Sequence, residues 1–299
     1  MLRRPGFNLH LRPVEALPQF DAARQAAVLQ LLDDGSAPVR QALLAYLTAV
    51  GSPAEPFLRH IASGTDRPLA GHAAWYLQEL KFNDPVAEFR GFIRSLNYEL
   101  ETGALLLART VAPRLDIGAC CAELDAIAAR CRELIAEPSS RREKCRLLNR
   151  VLFHEWGFRG DQEHYNDPRN SLLDQVLSRR KGIPISLSIV YLLVAERLDL
   201  DLQPVALPGH FLVACFAEGA PFFIDPFDQG LFRSREEVLA LLRSNQIEPQ
   251  AGDLARTPVR EVLCRSCRNL VKHYGEAGDT VRARLFASFI EEFDAAYAR

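Results

Sequence analysis

The sequence predicts an α+β fold, with one buried helix, then antiparallel strands, and helical regions on both sides. Three observations carry this. The run ISLSIVYLLVAERL after Pro184 is apolar all round, so as a helix it must be buried on every face. The segments that follow are short and rich in β-branched and aromatic residues: LQPVAL (202–207), HFLVACF (210–216) and PFFID (221–225). Pro208-Gly209 precedes the second, and Glu218-Gly219-Ala220 is a hairpin turn between the last two. On either side of this block, apolar residues recur at helical spacing. A helix followed by hairpin strands is an α+β order.

Residues 14–80 read as short helices. AAVLQLL opens the series at Ala26, and Val39, Leu43, Leu44, Leu47 and Val50 form one stripe that ends at Gly51-Ser52-Pro53. Further helices fall at about 56–61 and 69–80, separated by a GTDRP turn. This alternation resembles HEAT-like repeats; the plainer alternative is a helical layer packed on a larger domain. From Asp84 to Ile135 the pattern stays helical, with Cys121, Leu124, Ile127, Ala128, Cys131 and Leu134 on one stripe. Glu137-Pro138-Ser139-Ser140 is a loop, and 147–158 is an amphipathic helix. DQEHYNDPRNS (161–171) is polar and turn-rich. Ser171 or Asn170 then caps a helix over 171–180, with Asp174 in its first turn. That helix stops near Gly182, and Pro184 opens the buried helix at the position proline suits best. After Ser234 the chain is helical again. Residues 259–293 read as two antiparallel helices joined at 275–279 and are similar to one tetratricopeptide unit. A single such unit cannot bury its own face, so it caps the domain before it. The expected divisions are 1–83, 84–235 and 236–299.

Composition excludes several classes. The 299 residues are 48% hydrophobic and 25% charged, the balance of an ordinary globular protein. Formal net charge is −2, so the basic surplus of a non-specific nucleic-acid binder is missing and no nucleic-acid partner is expected. No apolar run is long enough to span a membrane. The start, MLRRPGFNLHLRP, is positive but lacks the apolar stretch of a signal peptide. Seven cysteines in a chain of this size do not read as a disulfide scaffold; free thiols in a reducing cytoplasm are expected. Cys264-x-x-Cys267 has metal spacing, but no second ligand pair follows it, so no metal is predicted. No phosphate-binding glycine loop occurs, and no cofactor is predicted.

Chemistry concentrates in GIPISLSIVY (182–191), PGHFLV (208–213) and IDPFDQG (224–230). A helix start, a histidine opening one strand and an aspartate closing its neighbour form the frame of cysteine-nucleophile enzymes. There the carboxylate fixes the imidazole, and the helix end and His⁺ lower the thiol pKa. The joint occurrence of DPRNS, RRKGIPISLS, PGHF and IDPF resembles the bacterial SirB-one type of the transglutaminase-like superfamily, over about Leu147 to Gly230. ETGALLLAR (101–109) extends the likeness backwards.

The resemblance implies a papain-like core and a Cys–His–Asp triad, of which His210 and Asp225 match two members. Pro184 stands at the nucleophile position and has no nucleophile, a feature common in this type. Ser188 is the candidate replacement, four residues on and about 6 Å deeper along the helix. Ser186 points away from that face, and Cys215 lies on the opposite sheet face from His210. Asp167, Arg169 and Asn170 match the family's DPRNS loop; with Pro184 and Ser186 they are candidate pocket residues, and the alternative is a loop held by Asx turns. Related domains inside F-box-type adaptors imply a recognition role. The expectation is therefore a pseudoenzyme that binds a peptide or protein segment. The alternative is a hydrolase or acyl transferase using His210, Asp225 and Ser188 or water.

Overall fold

The computed structural model describes residues 20–34, 36–51, 53–80, 84–217, 221–250 and 252–297. The N-terminal segment before Phe20 and the expected Glu218-Gly219-Ala220 turn lie outside the described residues. Two compact units divide between Asn83 and Asp84.

The first unit holds α1 (Ala22–Leu32), α2 (Ala37–Val50), α3 (Ala54–Ala62) and α4 (Arg67–Glu79). The Asp21 carboxylate caps α1 by accepting from the Arg24 amide, and Asp66 caps α4 by accepting from Leu69. Val28, Leu32, Leu43, Leu47, Leu58 and Tyr76 fill its core.

The second unit opens with α5 (Pro85–Ser95), α6 (Leu100–Arg109), α7 (Ile117–Leu134) and α8 (Arg141–Asn149). A capping box between Ser140 and Glu143 starts α8. The amphipathic helix expected at 147–158 is the end of α8 and a widened π turn over Arg150–Glu155. The extra residue in that turn lets Val151, Leu152 and Phe153, three in a row, all face the core. Next come β1 (Arg159–Gly160), α9 (Leu173–Arg179), β2 (Lys181–Gly182) and α10 (Pro184–Glu196). α9 does not begin on a Ser171 or Asn170 cap. Asp167 instead caps a short 3₁₀ turn over Pro168–Ser171 by accepting from the Arg169 amide, and α9 follows from Leu172 without a side-chain cap. Pro168 and the Asp167 carboxylate together hold the backbone in that tighter turn.

Every residue of α10 from Pro184 to Ala195 is buried, as its unbroken apolar sequence requires. β3 (Gln203–Leu207), β4 (His210–Cys215), β5 (Phe222–Asp225) and β6 (Leu231–Arg233) follow as an antiparallel meander in that order. β1 and β2 pair separately and in parallel. These two-residue strands and the three-residue β6 are too short to leave a period in the sequence. α11 (Arg235–Ser244), α12 (Val259–Glu276) and α13 (Thr280–Tyr297) complete the unit.

The sheet is covered on both faces. Phe211, Val213, Cys215, Phe222 and Ile224 join α7, α8 and α10 in the main core. Val205, Leu207, Leu212, Ala214 and Phe223 pack on Val238 and Leu242 of α11. This alternation is the period of two in the strands. α12 and α13 pack with α5 and α6 around Phe89, Leu263, Leu270, Phe286, Phe289 and Phe293. Residues 84–299 therefore form one compact unit, in which the last two helices share a core with the first two. Among the described residues, no helix is long and apolar enough to cross a membrane.

Candidate functional site

The Pro208-Gly209 turn joins β3 to β4, and Leu207 pairs with His210 across it. Proline sets the first corner, and Gly209 takes φ +74°, which side chains resist. His210 thus opens β4. In the β4–β5 register, Val213 faces Ile224. His210 and Asp225 then fall on the same sheet face as diagonal neighbours, within reach of each other. His210 Nε2 lies 2.9 Å from an Asp225 Oδ2 that is almost wholly buried. Arg233, on β6, donates to the same oxygen through Nε and Nη2, each at 3.2 Å. The other carboxylate oxygen accepts from the Asp228 amide. Burial alone would raise the Asp225 carboxyl, but the hydrogen bond and charge of His210 and the charge of Arg233 outweigh it and lower its pKa.

The sequence reading brought His210 and Asp225 together but missed Arg233. Its signal is faint: Gly230 turns the chain back, so Asp225 pairs with Leu231 and an arginine two residues on lies beside the carboxylate.

His210 borders two cavities. One, of about 540 Å³, is also lined by Asp225, Phe227 and Arg233 and by Leu241 and Asn245 of α11. The other, of about 210 Å³, is lined by Pro184 at the start of α10 and by residues of α12. The position that the resemblance gives to the nucleophile therefore opens on the same space as His210. Pro184 brings no reactive atom to it.

The other candidates lie elsewhere. Ser188 is fully buried, and its Oγ has no hydrogen-bond partner, so it is out of reach of His210. Cys215 is on the sheet face that meets α10, opposite His210. Ser186 accepts from the Ile183 amide at 3.0 Å and donates to the Asn170 carbonyl at 2.6 Å. Both Ser186 and Asn170 are buried and occupied by internal hydrogen bonds. Asn170 also donates to the His164 carbonyl and accepts from Arg179. Asp167 receives a forked pair of bonds from the exposed Arg169. Neither residue lines the two cavities at His210. The DPRNS loop thus braces the start of α10, through Asn170 and Ser186.

Gly182 belongs to the same brace. A Cβ there would stand 2.6 Å from Ser186 Oγ and 3.1 Å from Leu187. The Gly182→Ala variant is expected to lose about 1–3 kcal/mol, measured by urea unfolding, because the crowding falls inside a packed helix start. An unchanged unfolding midpoint would show that the brace has slack.

Several thiols are held in their protonated form by burial. All seven cysteines are free. Burial pushes Cys120, Cys121 and Cys264 up to about 11 and Cys131 to about 12, and raises Cys267 as well. Cys264 and Cys267 lie in the core between α12 and its neighbours. Among the described residues, no group of three or more His, Cys, Asp or Glu gathers to hold a metal ion.

Comparison with known proteins places this geometry. The chain is 35% identical over 190 residues to a UPF0162 protein of Xylella fastidiosa, covering 62% of this chain and 68% of the relative. A UPF0162 protein of Vibrio cholerae is 33% identical over 131 residues, 44% of this chain and 48% of the relative. The F-box only protein 21 of Mus musculus is 38% identical over 132 residues, 42% of this chain and 21% of that protein. No solved structure matches. The model of the transglutaminase-like superfamily matches residues 118–268, which hold α10, the whole sheet and the His210–Asp225 pair. The chain belongs to the transglutaminase-like superfamily.

Proposed function

We propose that this protein is of the SirB-one type and uses a transglutaminase-like fold for recognition, binding a peptide or protein segment in the cleft at His210. The observation that carries this reading is the cavity shared by Pro184 and His210: the frame of the site is retained, and the group that would attack a substrate is not. Among the described residues, no cysteine lines either cavity at His210 to replace it. The likeness to a protein named as an F-box protein supports recognition by analogy. Seven free thiols fit a reducing cytoplasm.

One observation favours a second reading. The His210–Asp225 bond is the geometry of a general base with its orienting carboxylate. With Ser188 out of reach, water would be the nucleophile of such a hydrolase.

Two measurements separate the readings. A photo-cross-linking residue in place of the exposed Gln162, which lines the larger cavity, is expected to capture one specific protein in the native cell. His210→Ala in the same chain is expected to lose that capture. In acyl-hydrolase and transamidase assays, wild type and His210→Ala are expected to match the uncatalysed rate. A wild-type rate above that of His210→Ala would overturn the recognition reading in favour of hydrolysis.

A further inference from the structure

The smaller cavity at His210 has a chemical character that the superfamily's triad does not explain. Arg265 of α12 lines it. The guanidinium lies over the Phe211 ring, 5.7 Å from its centroid. One of its five N–H groups is used, in a 3.0 Å bond from Nη2 to the His210 carbonyl. Among the described residues, no carboxylate lies within ion-pair distance of it, and Glu261, one turn before it, is bonded to Arg268 instead. A half-buried guanidinium without an anion is an unfinished interaction, because its desolvation is only partly offset.

Lys272, two turns further along α12, lines the same cavity and, among the described residues, meets only the outlying Glu276, at 3.9 Å. The remaining polar walls are Tyr165, Asn269, His210 and His273. Burial and the charge of Lys272 lower the pKa of His273, so it is a neutral imidazole at neutral pH. Among the described residues, no Asp or Glu lines the space. Asp225 is engaged by His210 and Arg233. The cavity therefore offers two cations and hydrogen-bond donors with no counter-charge of its own.

We propose that this cavity binds a carboxylate of the peptide ligand, held in the fork of Arg265 with Lys272 as the second cation. The inference rests on the recognition reading above and names what the cleft selects. The planar fork matches two carboxylate oxygens, and about 210 Å³ admits a single side chain or a terminal residue. The carboxylate has two sources, the C-terminus of a chain or an internal Asp or Glu.

The test uses the full chain with ¹⁵N-labelled histidines and follows the His210 and His273 resonances. Three synthetic probes are titrated: an acetylated tetra-alanine with a free C-terminus, the same peptide as its amide, and an acetylated amide with one internal glutamate. At least one carboxylate probe is expected to shift both imidazoles saturably, and the neutral amide is not. The probe that binds identifies the source. Arg265→Gln is expected to weaken binding about tenfold, as loss of a charged hydrogen bond does. Because Arg265 also touches the backbone of His210, Lys272→Gln on the exposed side provides a second variant; it is expected to weaken binding a few-fold without altering the fold. Equal binding of the neutral amide would overturn the carboxylate and leave the cleft as a peptide site. Saturation by inorganic phosphate with none by carboxylates would overturn it also. Wild-type affinity in both variants, or no shift with any probe while cross-linked capture still depends on His210, would overturn this inference alone.

Discussion

Asp225→Ala is expected to destabilise the protein by about 3 kcal/mol in equilibrium unfolding, the scale of breaking a buried charge pair from one side. The carboxylate is 2% exposed and receives His210 and Arg233 together, so its loss leaves the His210 ring without its acceptor and Arg233, among the described residues, with only the more exposed Asp228. Both partners are 19% exposed and can recover some hydration, which keeps the cost from rising further. Asp225→Asn keeps the shape and is expected to cost less. Its main signature is in pH. The folded carboxyl is held below its ordinary 3.8, so its contribution is fully present above the unfolded value and is lost as pH falls through the lowered folded one. The wild type should therefore lose stability more steeply below about pH 4 than Asp225→Asn does. Parallel acid profiles for the two proteins would show that the His210–Asp225–Arg233 cluster does not stabilise the fold.

Pro184→Cys is expected to create the most reactive thiol in the chain. The new side chain would sit at the first position of α10, where the helix end favours an anion, in a cavity lined by His210, Arg265 and Lys272. Its pKa should fall below the ordinary value near 8.5, whereas several native thiols are pushed to about 11 or 12. Alkylation by iodoacetamide at neutral pH, read by peptide mass mapping, should modify position 184 at least about tenfold faster than Cys120, Cys121, Cys131 or Cys264, in line with the thiolate fractions. Adding His210→Ala should slow it. A thiol at position 184 that reacts as slowly as the native ones would mean that the helix start and His210 do not act on one point, and the shared-cavity argument would fail.

The order of elements was legible because each depends on local pattern. The unbroken apolar run of α10 and the period-two strands around Pro208-Gly209 specify themselves, and the α+β class follows. That His210 and Asp225 could meet was also legible, since they open and close neighbouring antiparallel strands; the register that makes them diagonal neighbours came from the structure. Arg233 and Arg265 were not. Arg233 arrives on a strand of three residues, too short to announce a register. Arg265 arrives 55 residues after His210, on a helix whose docking depends on the shape of a core assembled from α5, α6 and α13. The hydroxyl of Ser171, read as a cap, lies instead at 3.5 Å from the His273 ring of α12. Its local propensity for a cap yielded to a tertiary neighbour.

The bond from Arg265 to the carbonyl of His210 has a thermodynamic consequence. One wall of the cavity belongs to β4 and the start of α10 and the other to α12, which packs with α13, so the cavity exists only while α12 is seated. A guest that touches both walls would act as a staple. Part of its binding free energy would appear as greater resistance of α12 and α13 to opening, and ligand affinity and the anchoring of the C-terminal helices would become two readings of one equilibrium.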